Sequence, residues 1–230
     1  MTHTLFEGDT LDFWNLNKNQ ASVRFAKLLK KNTGPLFSEI EVLHEHVVLK
    51  RGVNKVALNE IQNIKIAPLN NNHYLIDITI NYECATAAPF KIIQYRYGGF
   101  GWRTTEEWNN QNSRVLSSEG NTRKTADGSR ARWCIVDGKL NDGYGGALIL
   151  SHPDNYNHPE PLRVWPEDQY GRGDLFVNFA TTKTTDWIFN PGKKYTLKYQ
   201  LIVYDGVMET TTAEQAWKQF AAPLNYQLKP

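Results

Sequence analysis

His73-Tyr74-Leu75-Ile76-Asp77-Ile78-Thr79-Ile80-Asn81-Tyr82-Glu83-Cys84 decides the fold. Tyr74, Ile76, Ile78, Ile80, Tyr82 and Cys84 alternate with Leu75, Asp77, Thr79, Asn81 and Glu83, the period-2 signature of a strand with one buried face. The alternation predicts Ile76, Ile78 and Ile80 toward a core and Asp77, Thr79 and Asn81 away from it, because a one-residue slip would exchange the faces. Lys194 to Tyr204 repeats the pattern, with Tyr195, Leu197, Tyr199, Leu201 and Val203 on one side. Shorter runs of the same kind are 39–42, 47–50, 61–66, 90–95, 131–136, 147–150 and 175–179. Turn residues separate them: Asn70-Asn71-Asn72, Asp137-Gly138, Asn141-Asp142-Gly143, Pro191-Gly192 and Asp205-Gly206. Nine or more strands so punctuated predict an all-β chain, one antiparallel β-sandwich domain over residues 1–230.

Helical signal is scarce. Ala21 to Lys31 fits a helix and a strand equally well. Thr212-Ala213-Glu214-Gln215 has the form of a capping box, and Ala216, Trp217 and Phe220 follow at helical spacing, which predicts a short C-terminal helix ended by Pro223.

Composition excludes several classes. The 230 residues carry 26 Lys+Arg and 24 Asp+Glu, a formal charge of +2 with no basic cluster of the kind that reads nucleic acid. No stretch approaches the roughly 20 apolar residues that span a bilayer. Two distant cysteines, Cys84 and Cys134, make neither a disulfide scaffold nor a cysteine zinc site, and both are expected as free thiols in strands. Residues 1–9 have neither a basic nor an apolar leader region, so no export signal is visible.

Two loop-like regions hold the chemistry. Residues 97–128 contain Gly98-Gly99-Phe100-Gly101-Trp102-Arg103, which lacks the spacing of a phosphate-binding loop and reads as a tight backbone path presenting Trp102 and Arg103. Trp102 is equally readable as a core residue. Residues 151–173 contain Ser151-His152-Pro153-Asp154-Asn155-Tyr156-Asn157-His158-Pro159-Glu160-Pro161-Leu162-Arg163-Val164-Trp165. The prolines hold both histidines extended, so the two cannot share a helical face. Their spacing matches no metal-ligand pattern, and no metal or cofactor is expected. Histidines bonded within a rigid loop are one reading; an imidazole acting as general acid is another. Aromatic rings among Asn, Asp and Arg suit sugars, whose CH faces stack and whose hydroxyls take forked hydrogen bonds.

Gly8-Asp9-Thr10-Leu11-Asp12-Phe13-Trp14, Tyr95-Arg96-Tyr97-Gly98-Gly99-Phe100-Gly101-Trp102-Arg103, Ser118-Glu119-Gly120 and Arg132-Trp133-Cys134 occur in this order, followed by the two His-Pro segments, Arg163-Val164-Trp165 and Tyr204-Asp205-Gly206. Together they resemble the bacterial family labelled "methane oxygenase PmoA", or PmoA-like. The label borrows a membrane-embedded subunit, and methane oxygenation is not expected of a chain without a spanning segment. The resemblance implies a β-sandwich, similar to the large sandwiches of aldose mutarotases, in bacteria that degrade polysaccharides. It also implies a carbohydrate-binding or carbohydrate-processing function. Two departures bear on any acid–base pair or metal: Ser151 stands where many members have Asp, and of an upstream histidine-rich segment only His3 is present.

The resulting expectation is a small-molecule or oligosaccharide site built by loops 98–128 and 151–173. His152 or His158 would be the general acid and Glu119 the general base. Arg103 and Arg163 would clamp oxygens, Trp102 and Trp165 would stack on sugar rings, and Asp154 and Asn155 would bind hydroxyls. The rival expectation is a non-catalytic binding or interaction module.

Overall fold

A computed structural model describes residues 3–52, 54–70 and 73–222. Eight antiparallel strands form the large sheet, in the order β3 (Ala21–Thr33), β4 (Ser38–Val48), β5 (Lys55–Asn70), β6 (His73–Cys84), β16 (Lys194–Asp205), β12 (Gly143–Ser151), β11 (Trp133–Leu140) and β9 (Ser113–Ser117). Two four-stranded sheets share a core with one of its faces. One runs β15 (Trp187–Phe189), β7 (Phe90–Ile92), β1 (Thr4–Phe6), β2 (Asp9–Leu11); the other runs β10 (Arg130–Ala131), β13 (Glu160–Val164), β14 (Phe176–Phe179), β8 (Phe100–Arg103). On the opposite face of the large sheet lies α1 (Thr210–Ala221), packed through Ala213, Ala216, Trp217 and Phe220 on Trp133, Ile135, Leu148 and Leu150. The architecture is a β-sandwich with one short C-terminal helix.

The deciding stretch is β6, and its alternation holds. Ile76, Ile78, Ile80 and Tyr82 lie opposite Leu201, Tyr199, Leu197 and Tyr195 of β16 and join the main core. Leu75 packs on the helix side, while Asp77 and Asn81 are bonded across the same pairing by Gln200 and Thr196. Truncating half-buried Ile78 to Ala is expected to cost about 2 kcal/mol, the low end for a core aliphatic, read as a fall in the urea midpoint. A stability equal to wild type would contradict the assignment of faces.

Several expectations change. Ala21 to Lys31 is strand, and β3 is exposed on both faces from Val23 to Thr33. Lys27, Lys30 and Lys31 on this edge discourage pairing with a further strand. Asp137-Gly138 is no turn: both lie inside β11, where Asp137 is buried and collects hydrogen bonds from Arg114, Tyr144 and Tyr204. A buried, hydrogen-bonded aspartate inside a strand reads, in sequence, like punctuation. The helix starts at Thr210 with Glu209 as N-cap, so Thr212 is its third residue and makes no cap bond. Pro223 and the Asn71-Asn72 part of one turn lie outside the described residues. Both cysteines are free. Among the described residues no helix is long and apolar enough to cross a membrane.

Candidate functional site

The two small sheets leave a cleft of about 800 Å³ over the large sheet. Its floor is built by β4, β5, β6 and β16 through His46, Glu60, Gln62, Ile80, Tyr82 and Leu197. One wall carries Trp14 and Trp187; the other carries Gly98, Gly99, Gly101, Arg103, Trp165, Tyr170 and Phe176. A second hollow, of about 500 Å³, lies at the β11–β12 hairpin beside Glu107 and Tyr144 and holds no buried titratable pair.

Polar residues on the floor break the apolar alternation of β5, where Leu58, Glu60, Gln62 and Ile64 pair in turn with Cys84, Tyr82, Ile80 and Ile78. Glu60 is buried, with Oε2 2.7 Å from His46 Nε2 and Oε1 accepting from Gln62 Nε2 at 2.5 Å. Burial opposes ionisation of this carboxyl, yet the bonds from His46 and Gln62 hold it below its ordinary value. Burial pushes the His46 imidazole down, against the pull of Glu60. The pair is therefore a carboxylate beside a neutral imidazole. His46 Nδ1 is buried and has no hydrogen-bond partner among the described residues.

The glycine-rich segment forms its wall by close approach. Gly99 has φ +59°, and a Cβ there would sit 2.3 Å from the Phe179 carbonyl and from Thr181 Oγ1. Asn178 fastens the segment, donating through Nδ2 to the Gly98 and Phe100 carbonyls and accepting from Gly98 N–H. β8 then pairs with β14, which pairs with β13, so strands from the 97–128 and 151–173 regions share one sheet. Arg103 leaves β8 with its guanidinium 4.5 Å from the Trp165 ring centre. Trp165 Nε1 donates to Tyr97 Oη at 3.0 Å.

Of the residues expected from sequence, Arg103 and Trp165 line this cleft. The others sit elsewhere. Trp102 is half-buried, edge-on to Trp108 at 5.9 Å, and packed on the core, the second of its two readings. Arg163 stands behind the wall, paired with Asp127 at 3.1 Å and 5.4 Å from the Tyr97 ring centre. His152 and His158 pack against α1, on Phe220 at 5.1 Å and parallel to Trp217 at 6.2 Å. Burial pushes both imidazoles below their ordinary value. Glu119 is exposed, 3.4 Å from Arg132, which is bound more closely by Glu214. Asp154 is exposed beside Lys198. Asn155 is buried and ties its loop to β16, accepting from Lys198 N–H and donating to the Lys198 carbonyl. His152, His158, Glu119, Asp154 and Asn155 thus do not converge with Arg103 and Trp165. Among the described residues no three His, Cys, Asp or Glu side chains are placed to hold a metal ion.

His46 and Glu60 carry no signal among the motifs of the sequence, and Glu160 stood out there only as a possible metal ligand beside the two histidines. Glu160 is fully buried under the same wall, accepting from Ser151, Asn155, Thr181 and Tyr199. The visible signal for the floor pair was a Glu and a Gln occupying consecutive inward positions of an otherwise apolar strand.

Comparison with known proteins gives a family and distant likenesses. A family model described as "Family of unknown function (DUF6807)" matches residues 1–218. No curated protein matches. Among solved structures, the GH36 α-galactosidase AgaA of Geobacillus stearothermophilus in complex with raffinose is similar at 11% identity and a TM-score of 0.43, over 88% of this chain and 29% of that one. The heparan sulfate lyase HepC of Pedobacter heparinus is similar at 10% identity and a TM-score of 0.37, over 90% and 24%. A putative kojibiose phosphorylase from the human microbiome is similar at 12% identity and a TM-score of 0.32, over 95% and 24%. The chain spans less than a third of each of these proteins.

Proposed function

The chain belongs to DUF6807, a family of unknown function, and from that premise we propose that it binds a saccharide in the cleft between the small sheets. The observation that carries this reading is the pairing of aromatic walls with the Glu60 carboxyl on the floor, bonded to His46 and Gln62. Trp14 and Tyr170 are 71% and 69% exposed at the mouth, giving flat faces for CH stacking. Glu60, fixed by His46 and Gln62, accepts hydrogen bonds from hydroxyls, and a charged acceptor makes the stronger bonds. The volume suits a short oligosaccharide segment.

Binding is favoured over glycoside hydrolysis. Hydrolysis ordinarily needs two carboxyl groups flanking the scissile bond. Among the described residues Glu60 is the one carboxylate lining the cleft. Trp14, Trp165 and Trp187 line the cleft, so intrinsic fluorescence titrated with an oligosaccharide panel reads occupancy. A saturable change is expected with at least one sugar. Trp14→Ala and Tyr170→Ala should each weaken it by about 2- to 10-fold, the worth of one aromatic stacking contact, without moving the melting temperature. A fluorescence trace flat across the whole panel would overturn the reading.

A further inference from the structure

Arg103 is the feature of the cleft that binding of a neutral sugar leaves unexplained. It stands exposed at the end of β8 with its guanidinium stacked on Trp165, and among the described residues no carboxylate reaches it. Stacking uses the π face of the guanidinium and leaves its in-plane N–H groups free, in the fork that matches a carboxylate with two parallel bonds. Trp165 is itself fixed, with Nε1 on Tyr97, Tyr170 edge-on at 5.3 Å and Phe176 at 5.4 Å. The cation is thus presented on a rigid plate, which lowers the ordering cost of engaging an anion.

Charge is divided across the cleft. Glu60, the acidic group of the floor, repels an anion and accepts from hydroxyls; Arg103 on the wall does the reverse. From this division we infer that the saccharide is acidic, a uronic-acid sugar whose carboxylate is gripped by Arg103 while its hydroxyls face Glu60. The inference rests on the saccharide reading above and narrows it.

The rest of the wall supports the same sign of field. The Arg96 guanidinium lies 5.9 Å and 5.4 Å from the ring centres of Tyr95 and Tyr97, and it too reaches no carboxylate among the described residues. Burial would raise the Tyr97 phenol, yet the Trp165 hydrogen bond and the Arg163 and Arg96 charges hold it below its ordinary value. Arg163 adds less than its charge suggests, because Asp127 neutralises it.

The test is a calorimetric titration of the full chain with short oligomers of galacturonate, glucuronate and mannuronate, each beside its methyl ester. The ester keeps size and shape and removes the charge. For at least one acid, binding at least tenfold tighter than its ester is expected, with the gap narrowing as salt rises from 0.05 to 0.3 M. Arg103→Gln should erase the gap, and Arg103→Lys should keep part of it, because charge survives and the fork does not. Sulfated neutral oligosaccharides form a third arm; a preference for them over every uronate would overturn the carboxylate assignment. Acid and ester binding equally, with Arg103→Gln without effect, would overturn the inference and leave saccharide binding standing. No binding by any acid, ester or neutral sugar would bring down both readings. Melting temperatures of both variants within about 2 °C of wild type confirm that binding, not folding, is being read.

Discussion

Asp137→Ala is expected to destabilise the chain by about 3–5 kcal/mol, the range for removing one partner of a buried ionic network. Asp137 is fully buried in β11, and four donors converge on it: Arg114 Nε at 2.9 Å and Nη2 at 2.6 Å, Tyr144 Oη at 2.9 Å and Tyr204 Oη at 2.9 Å. Removal leaves the buried Tyr204 hydroxyl without this acceptor and the Arg114 charge without its counter-ion. Opposite Asp137 in the ladder is Gly146, where a Cβ would come within 2.3 Å of the Val136 carbonyl, so the strand pair has no neighbouring side chain to fill the space. Burial, reinforced by the Asp137 charge, pushes the Tyr204 phenol far above its ordinary value, and the same causes push Tyr144 up to about 12. Urea unfolding should show a lower midpoint at an unchanged slope. A variant within 1 kcal/mol of wild type would mean that water replaces the carboxylate without penalty.

The second large effect belongs to Glu160, and it depends on pH in a direction that distinguishes it from most carboxylates here. Ser151, Asn155, Thr181 and Tyr199 all donate to it, at 2.5, 3.0, 2.9 and 2.8 Å. Burial nevertheless dominates these four bonds and raises its pKa above the 4.5 of a free glutamate. A raised carboxyl means that the folded state binds more protons than the unfolded one, so this group's contribution to stability falls as pH rises from 4.5 through the raised value. Gln cannot titrate. Glu160→Gln should therefore cost about 1–3 kcal/mol at the acid end, where its amide meets the surrounding donors, and progressively less toward neutral pH. Glu60 predicts the opposite slope, because its pKa is lowered. A Glu160→Gln penalty that widens with rising pH would contradict the account.

The long strands were legible because they are long. In β6 and β16 enough alternations accumulate to identify the buried face, whereas β1, β2, β10 and β15 are two or three residues each, too short to show a period. That is why a sandwich could be read from sequence while its division into one large and two small sheets could not. The site divides in the same way. Arg103 and Trp165 were visible as polar and aromatic residues in loop-like regions, and strand pairing β8–β14–β13 brings their segments together. His152 and His158 had equally strong local signals, but α1 covers them, and that contact joins segments about 60 residues apart in sequence. His46 and Glu60 were hidden by the opposite effect: strand patterning treats a polar residue at an inward position as a weak strand rather than as a placed functional group.

The pairing of β6 with β16 also governs how the molecule assembles. Asn81 meets Thr196 across 115 residues of chain, and Asp77 meets Gln200 across 123. Strands β3 to β6 are sequential neighbours joined hairpin to hairpin, so they form from local contacts, whereas the second edge of β6 closes only after residues 194–205 return to it. Loop closure over that span makes folding slow, on the order of milliseconds to seconds for topologies dominated by non-local pairs. During synthesis β6 waits as an open, isoleucine-rich edge while the whole middle of the chain is made. The central seam of the finished sheet thus cannot close until residues 194–205 are made, and until then the β6 edge is open to the mispairing that unpaired strand edges invite.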